Sequence, residues 1–290
     1  MRPLYVLLPL AFAAAPAAAV TVTPNDNASA LAAAMLQAGG GVSIIAGSET
    51  LIGNDNQQGT FSNFNQGPAG SEIKIDDGVV LTTGNALFST TENTTNERTV
   101  TAGTGSNAEL SGILVAAGLN SVTRDQNVIS FLFTVVNPAL TSIFGEFVFA
   151  TDEFPTQTVT DVMGIFVNNV NYAFFPGGAL VSNQSGVTTG FFNSNPVGST
   201  TYGMEWNGIT QRYTFEAPVT LGQNSFSLAI ADTADTRFDS VVFFSGLRAG
   251  ASTGGGGIID PSVIPLPAAG WLLLTGMGGL ALMRRRKRSS

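Results

Sequence analysis

Residues 143–166 constrain the fold more than any other stretch of this 290-residue chain. They read Ile143-Phe-Gly-Glu-Phe-Val-Phe-Ala-Thr-Asp-Glu-Phe-Pro155, a short polar segment, then Asp161-Val-Met-Gly-Ile-Phe166. Ile143, Phe147 and Phe149 recur on one side with Gly145 between them, the period of two that puts one face of a strand in a core. Pro155 stops that strand. A second strand, almost wholly apolar, starts at Asp161. The connection between them opens with Asp152-Glu153, so charge is wedged between two apolar strands.

The same pattern recurs along the chain. Val128–Val136 places Ile129, Phe131, Phe133 and Val135 on one face, and Tyr213–Phe215 and Phe226–Ile230 alternate again. Val42–Ile45, Thr50–Ile52, Ile73–Ile75, Val79–Thr82 and Val241–Phe244 read as shorter strands, with Asp76-Asp77-Gly78 as a turn. One soluble helix is expected over residues 25–38. Asn25, Asp26 or Asn27 caps it, Gly39-Gly-Gly41 ends it, and Leu31, Met35 and Ala38 share a face. Leu110–Ala117 stays open between strand and short helix. Gly53–Gly70 reads as a surface loop and Ser89–Gly105 as a mobile one. Short strands joined by Gly- and Asn-rich turns, with one helix, predict an all-β fold: a β-sandwich of jelly-roll type.

Composition removes whole classes of chemistry. The chain has no Cys and no His. Disulfides, thiolate nucleophiles, Ser-His-Asp triads and His- or Cys-ligated zinc are therefore excluded. Arg2 and the five basic residues 284–288 lie at the extreme termini. Between them six basic residues face all 20 acidic ones, a net charge of −14. Such a surface repels nucleic acid and favours divalent cations. Lys74 is the one lysine outside the C-terminal cluster, and no Gly-rich stretch is followed by Lys-Ser or Lys-Thr as a phosphate loop requires.

The two ends read as targeting segments. Arg2, an apolar stretch over Leu4–Ala15 and Ala17-Ala-Ala19 have the layout of a secretory signal peptide, the other reading being an N-terminal anchor. The folded domain is then expected over residues 20–249 and a flexible Gly-rich linker over 250–262. Residues 263–290 hold Val263-Ile-Pro-Leu-Pro-Ala268, an apolar run over Ala269–Met283 read as a transmembrane helix, and the basic cluster that fixes its end in the cytoplasm.

Three internal motifs resemble those of the bacterial choice-of-anchor L domain. They are Gly78-Val-Val-Leu-Thr-Thr-Gly84, the central Phe149-Ala-Thr-Asp-Glu-Phe-Pro155 with Asp161-Val-Met-Gly-Ile-Phe166, and Ile230-Ala-Asp-Thr-Ala-Asp-Thr-Arg-Phe-Asp-Ser-Val-Val-Phe243. Thr151, Asp152, Phe154 and Thr160 stand where Ser, Glu, Tyr and Asn are commoner. The C-terminal segment resembles a PEP-CTERM sorting tail of the V-P-L-P-A kind, with Pro265, Leu266, Pro267 and Ala268 as the strict match. That resemblance implies export by way of signal peptidase, an inner-membrane intermediate, cutting by an exosortase, and delivery to the cell surface or outside the cell. The alternative is a permanent single-span anchor.

Two sets of residues are candidates for chemistry. Asp152, Glu153 and Asp161 lie at the ends of the central hairpin, and Asp232, Asp235 and Asp239 on the closing loop. If those elements adjoin, six carboxylates meet, and a hard cation taking oxygen ligands, calcium above all, answers their repulsion. The other reading makes them turn caps and ion-pair partners. Phe61, Phe64, Tyr202 and Trp206 sit in polar stretches, either stacking on a sugar ring or folded back into the domain. Three functions follow. The first is a non-enzymatic structural, adhesion or biofilm protein of the surface or polysaccharide matrix. The second is a calcium-dependent carbohydrate-binding module. The third is a glycosidase using Asp152 or Glu153 with Asp239.

Overall fold

The computed structural model describes residues 20–155, 161–184, 186–254 and 256–259. The signal-peptide and sorting-tail readings lie outside the described residues. So does the expected transmembrane helix. Among the described residues no helix is long and apolar enough to cross a membrane.

Eight strands make the frame: β1 (Gly78–Thr82), β2 (Thr123–Val135), β3 (Ser142–Thr151), β4 (Val162–Val167), β5 (Val170–Asn171), β6 (Tyr213–Pro218), β7 (Gly222–Thr233) and β8 (Ser240–Gly250). One sheet runs β1-β8-β3-β6 and the other β2-β7-β4-β5, all antiparallel. First pairs with last, second with seventh, third with sixth and fourth with fifth. That is the wrapped order of a jelly roll, as the strand pattern predicts. Shorter strands widen the sheets. Thr21–Pro24 and Gln58–Ser62 continue outward from β1, Gly208–Thr210 and Phe192–Ser194 from β3, and Ser43–Ile44 and Thr50–Ile52 lie on β2.

The main core lies between the sheets. Phe226 of β7 sits there 5.1 Å from the Phe131 ring of β2 and 5.6 Å from Phe244 of β8. β8 is apolar at successive positions because both its faces are covered: Val242 and Phe244 face the main core, Val241 and Phe243 a second one. This second core lies outside the first sheet, beneath the segments around residues 64–75 and 202–209.

That second core corrects the sugar-stacking assignment. Phe61, Phe64, Tyr202 and Trp206 are all buried in it. Phe61 and Phe64 meet the Phe243 ring edge-on at 5.2 and 4.7 Å, and Trp206 donates from Nε1 to Ser89 Oγ. Each gains about 1.5–3 kcal/mol from leaving water, so they fold inward although their sequence neighbours are polar.

The helix expected near the N-terminus is α1 (Ala28–Ala34), capped by Asn27, whose Oδ1 accepts from Ala30 N at 2.9 Å. It buries Leu31 and Met35 but ends before Ala38, which is exposed. A second helix, α2 (Ala108–Ala116), settles the open segment. Asn107 caps it, and Leu110 and Leu114 pack on the outer face of the second sheet. The polar stretch Gly53–Gly70 contains the strand Gln58–Ser62. The expected linker is docked in part: Glu216 accepts from Ser252 Oγ and Thr253 N, and Gly257–Ile259 pairs with β6.

Candidate functional site

β1, β3 and β7 finish at the same end of the sandwich where β2, β4 and β8 begin. Strand order alone therefore gathers their terminal residues. Asp152 and Glu153 follow β3, Asp161 precedes β4, Asp232 lies in β7 and Asp239 precedes β8. All five are buried, at 2 % exposure or less. Asp235 is exposed. It sits in the turn between β7 and β8, and its Oδ1 accepts from Arg237 N. Two further buried acids join the same end without having been singled out in the sequence: Asp125 in β2 and Glu205.

These acids divide into two groups by what their oxygens accept. The outer group holds the segment 94–103. Glu205 Oε1 accepts from Thr94 N and Thr95 N and pairs with Arg98 Nε at 3.1 Å. Asp152 accepts from Arg98 N at 2.8 Å and Asn207 N at 2.9 Å. Asp239 accepts from Val100 N through both oxygens. Asp125 accepts from Ala102 N and Gly103 N. Arg98, Val100 and Ala102 recur with the period of extended chain, so alternate main-chain N–H groups turn toward the acids. The segment expected to be mobile is thus strapped across the end of the sandwich by main-chain hydrogen bonds to buried acids. Gly84 allows this closeness: a Cβ there would lie 1.8 Å from Asp239 Oδ2.

The inner group is Glu153, Asp161 and Asp232. Asp161 Oδ2 accepts from Ser240 Oγ at 2.6 Å, while its Oδ1 is unpartnered. Glu153 Oε2 is unpartnered too. Neither oxygen of Asp232 accepts a well-formed hydrogen bond, although the Thr83 hydroxyl lies near enough to ease its charge. Ion pairs among the described residues are Lys74–Glu72, Arg98–Glu205 and Arg212–Glu146, none of them in this group. As the side chains stand, no three acids among the described residues are drawn round a common point that would hold a metal ion.

Burial raises the pKa of five of these acids. It pushes Asp152 up to about 7, against the pull of its two N–H donors. Asp239 goes up to about 8 for the same reason, with Val100 N opposing and the Asp152 charge adding. Glu153 rises to about 9, through burial first and then the charges of Asp232 and Asp235. Asp161 and Asp232 are held well above the usual carboxylate range by burial, with the Glu153 charge next at Asp161 and the Asp161 charge next at Asp232.

Comparison with known proteins adds a family. The profile of the Choice-of-anchor L domain matches residues 21–248. No curated protein matches. Two solved structures show a slight likeness. One is a family 35 carbohydrate binding module from an environmental isolate, 18% identical, covering 44% of this chain and 71% of that one at a TM-score of 0.19. The other is CBM35 from Cellvibrio japonicus Abf62, 12% identical, covering 72% of this chain and 97% of that one at a TM-score of 0.23. Both likenesses are too slight to carry an argument about fold or ligand.

Proposed function

Because the chain belongs to the choice-of-anchor L family, we propose that it is an exported, non-catalytic protein displayed at the cell surface or in the extracellular matrix, where it serves structure, adhesion or biofilm assembly. One observation carries the reading of the site as architecture. Asp152, Asp239, Asp125 and Glu205, the acids a hydrolase would need free, are committed to main-chain N–H groups of the 94–103 segment. A carboxyl group held by backbone donors is oriented by them and is not free to swing onto a substrate.

Delivery follows the signals at the chain's two ends. Signal peptidase acts on the first, and an exosortase on Pro265-Leu-Pro-Ala268 of the second, after a passing inner-membrane stage. The test is fractionation of a host with and without its exosortase. Surface or secreted protein in the first strain and retention in the inner membrane in the second is the expected outcome. Mature protein confined to the periplasm in both would overturn the proposal.

The carbohydrate-binding reading retains one supporting observation. An open groove of about 770 Å³ runs along the outer face of the first sheet, lined by Asn63, Asn65, Lys74, Asp76 and Arg212. These are hydrogen-bonding and charged groups suited to a polar saccharide. A glycan array that includes the host's own exopolysaccharide tests it, and Arg212→Ala should abolish any signal that belongs to this groove.

A further inference from the structure

The inner acids are placed by register, and the register brings in a fourth side chain. β4 and β7 pair Met163 with Ile230 and Val162 with Ala231, so the next step sets Asp161 beside Asp232. On the other side of β4 an antiparallel bridge joins Val162 to Ser182, and the next step sets Asp161 beside Asn183. Residues opposite one another in adjacent strands share a face, and so do residues two apart in one strand. Met163, Ile230 and Val181, each two positions away, all belong to the core between the sheets. Asp161, Asp232 and Asn183 therefore form a row across the end of the second sheet, aimed inward. The Ser240 hydroxyl meets Asp161 from the first sheet. Glu153 adjoins the row, since its main-chain oxygen accepts from Asn183 Nδ2 at 2.7 Å.

This row is rich in oxygen and poor in donors. Glu153 Oε2, Asp161 Oδ1, both carboxylate oxygens of Asp232 and Asn183 Oδ1 are buried without a well-formed hydrogen bond, although the Thr83 hydroxyl and the Asp161 carboxyl both lie close to Asp232. Asn183 is the independent sign. It is a neutral side chain, 1 % exposed, whose amide donates to the Glu153 main-chain oxygen and whose own oxygen is left without a partner. A row built only to cap main-chain groups would have its oxygens taken, as those of Asp152, Asp239 and Asp125 are.

We propose that Glu153, Asp161, Asp232 and Asn183 bind one calcium ion, which joins the end of β3 to the start of β4 and the end of β7. Calcium takes six to eight oxygens at about 2.3–2.6 Å in adaptable geometry, from carboxylates, amide carbonyls and water. Magnesium demands a stricter octahedron and gives up its water reluctantly. Binding draws the side chains inward, and Glu153, with three side-chain torsions, has the reach to close on the ion. Asp152 and Asp239 keep their main-chain partners, and Asp235 stays outside in its turn. The site stands apart from the question of where the protein is displayed.

The test is calorimetric titration of the purified full chain with calcium after chelation, together with thermal melts in calcium, magnesium or chelator. Calcium should give a saturable heat and raise the melting midpoint by several degrees, because an ion that binds only the folded state stabilises it by mass action. Asp232→Asn keeps the shape and removes one charge. It should fold, melt in chelator no lower than the unaltered protein, and lose the calcium response. Asp235→Asn should retain the response in full. Absence of any calcium heat or shift in the unaltered chain overturns the proposal, and so does a shift that survives in Asp232→Asn. An equal shift with magnesium overturns the choice of ion. If Asp232→Asn does not fold, Asn183→Leu, which changes no charge, takes its place with the same expected loss.

Discussion

Asp125→Asn isolates one tether of the 94–103 segment. Asp125 is 2 % exposed and has a left-handed backbone, φ 44°. Asn tolerates that conformation better than other residues, so the main chain should stay in place. The Asp125 main-chain oxygen still accepts from Gln57 Nε2. What changes is the side chain. Oδ2 accepts from Ala102 N at 3.0 Å and Oδ1 from Gly103 N at 2.7 Å. An amide keeps one oxygen and turns an NH₂ group toward the other N–H. A hydrogen bond to a charged group is worth about 1.5–3 kcal/mol. Loss of one lowers the local opening free energy by that amount, which speeds amide exchange about 10- to 150-fold. Hydrogen–deuterium exchange resolved to single residues reads this directly at Ala102 and Gly103. Amides of the β2–β7 ladder such as Leu228 should keep their protection. Unchanged exchange at Ala102 and Gly103 would refute the tether. A uniform rise across β2 and β7 would show that Asp125 supports the whole domain and not one segment.

Three further outcomes are expected. Gly84→Ala must push the Asp239 carboxyl away from Val100 N, adding overpacking to a lost hydrogen bond. It should cost about 2–4 kcal/mol in denaturant unfolding with an unchanged slope. Trp206→Ala empties a fully buried site beside Phe88 and should cost about 3–5 kcal/mol; a melting midpoint equal to that of the unaltered protein would return Trp206 to the surface. Asp239 contributes to the pH dependence together with Asp152, Glu153, Asp161 and Asp232, all raised by burial. Its folded value of about 8 lies above the unfolded one near 3.8. The folded state thus holds the extra proton in between, and stability falls as pH rises through that window. In chelator, the melting midpoint should drop between weakly acidic and weakly alkaline pH, and Asp239→Asn should make that slope shallower by its own share.

The local pattern of the chain revealed a good part of this arrangement and hid the rest for a physical reason. Alternation in Phe226–Ile230 and the apolar run after Asp161 marked strands, and the pairing of β7 with β4 brought Asp161 beside Asp232 as the motifs suggested. The cap at Asn27 was readable because its partner, Ala30 N, is three residues away. The order of the 94–103 segment was not. Its acceptors are Asp152 and Asp239, which lie 54 and 139 residues from Arg98 and Val100, and a run of Thr, Asn and Gly looks the same whether or not distant acids hold it. Phe61 and Phe64 misled for the same reason, since the ring that buries them is Phe243. Asp125 did leave a trace: the polar run Arg124-Asp-Gln-Asn127 precedes a strongly alternating strand. Asn183 left none, because the carbonyl it donates to, that of Glu153, lies 30 residues away.

The docking of Gly257–Ile259 on β6 has a mechanical consequence for a domain pulled from its C-terminal side. Tension reaches three paired residues first, and then the contacts that Glu216 makes with Ser252 and Thr253. Only after both give way does it load β8, which lies between β1 and β3 and pairs through four residues on one side and nine on the other. Residues 251–259 would pay out about 30 Å of chain on release. The end of the domain thus works as a spring clip, yielding length under a brief tug before the sandwich itself bears any strain.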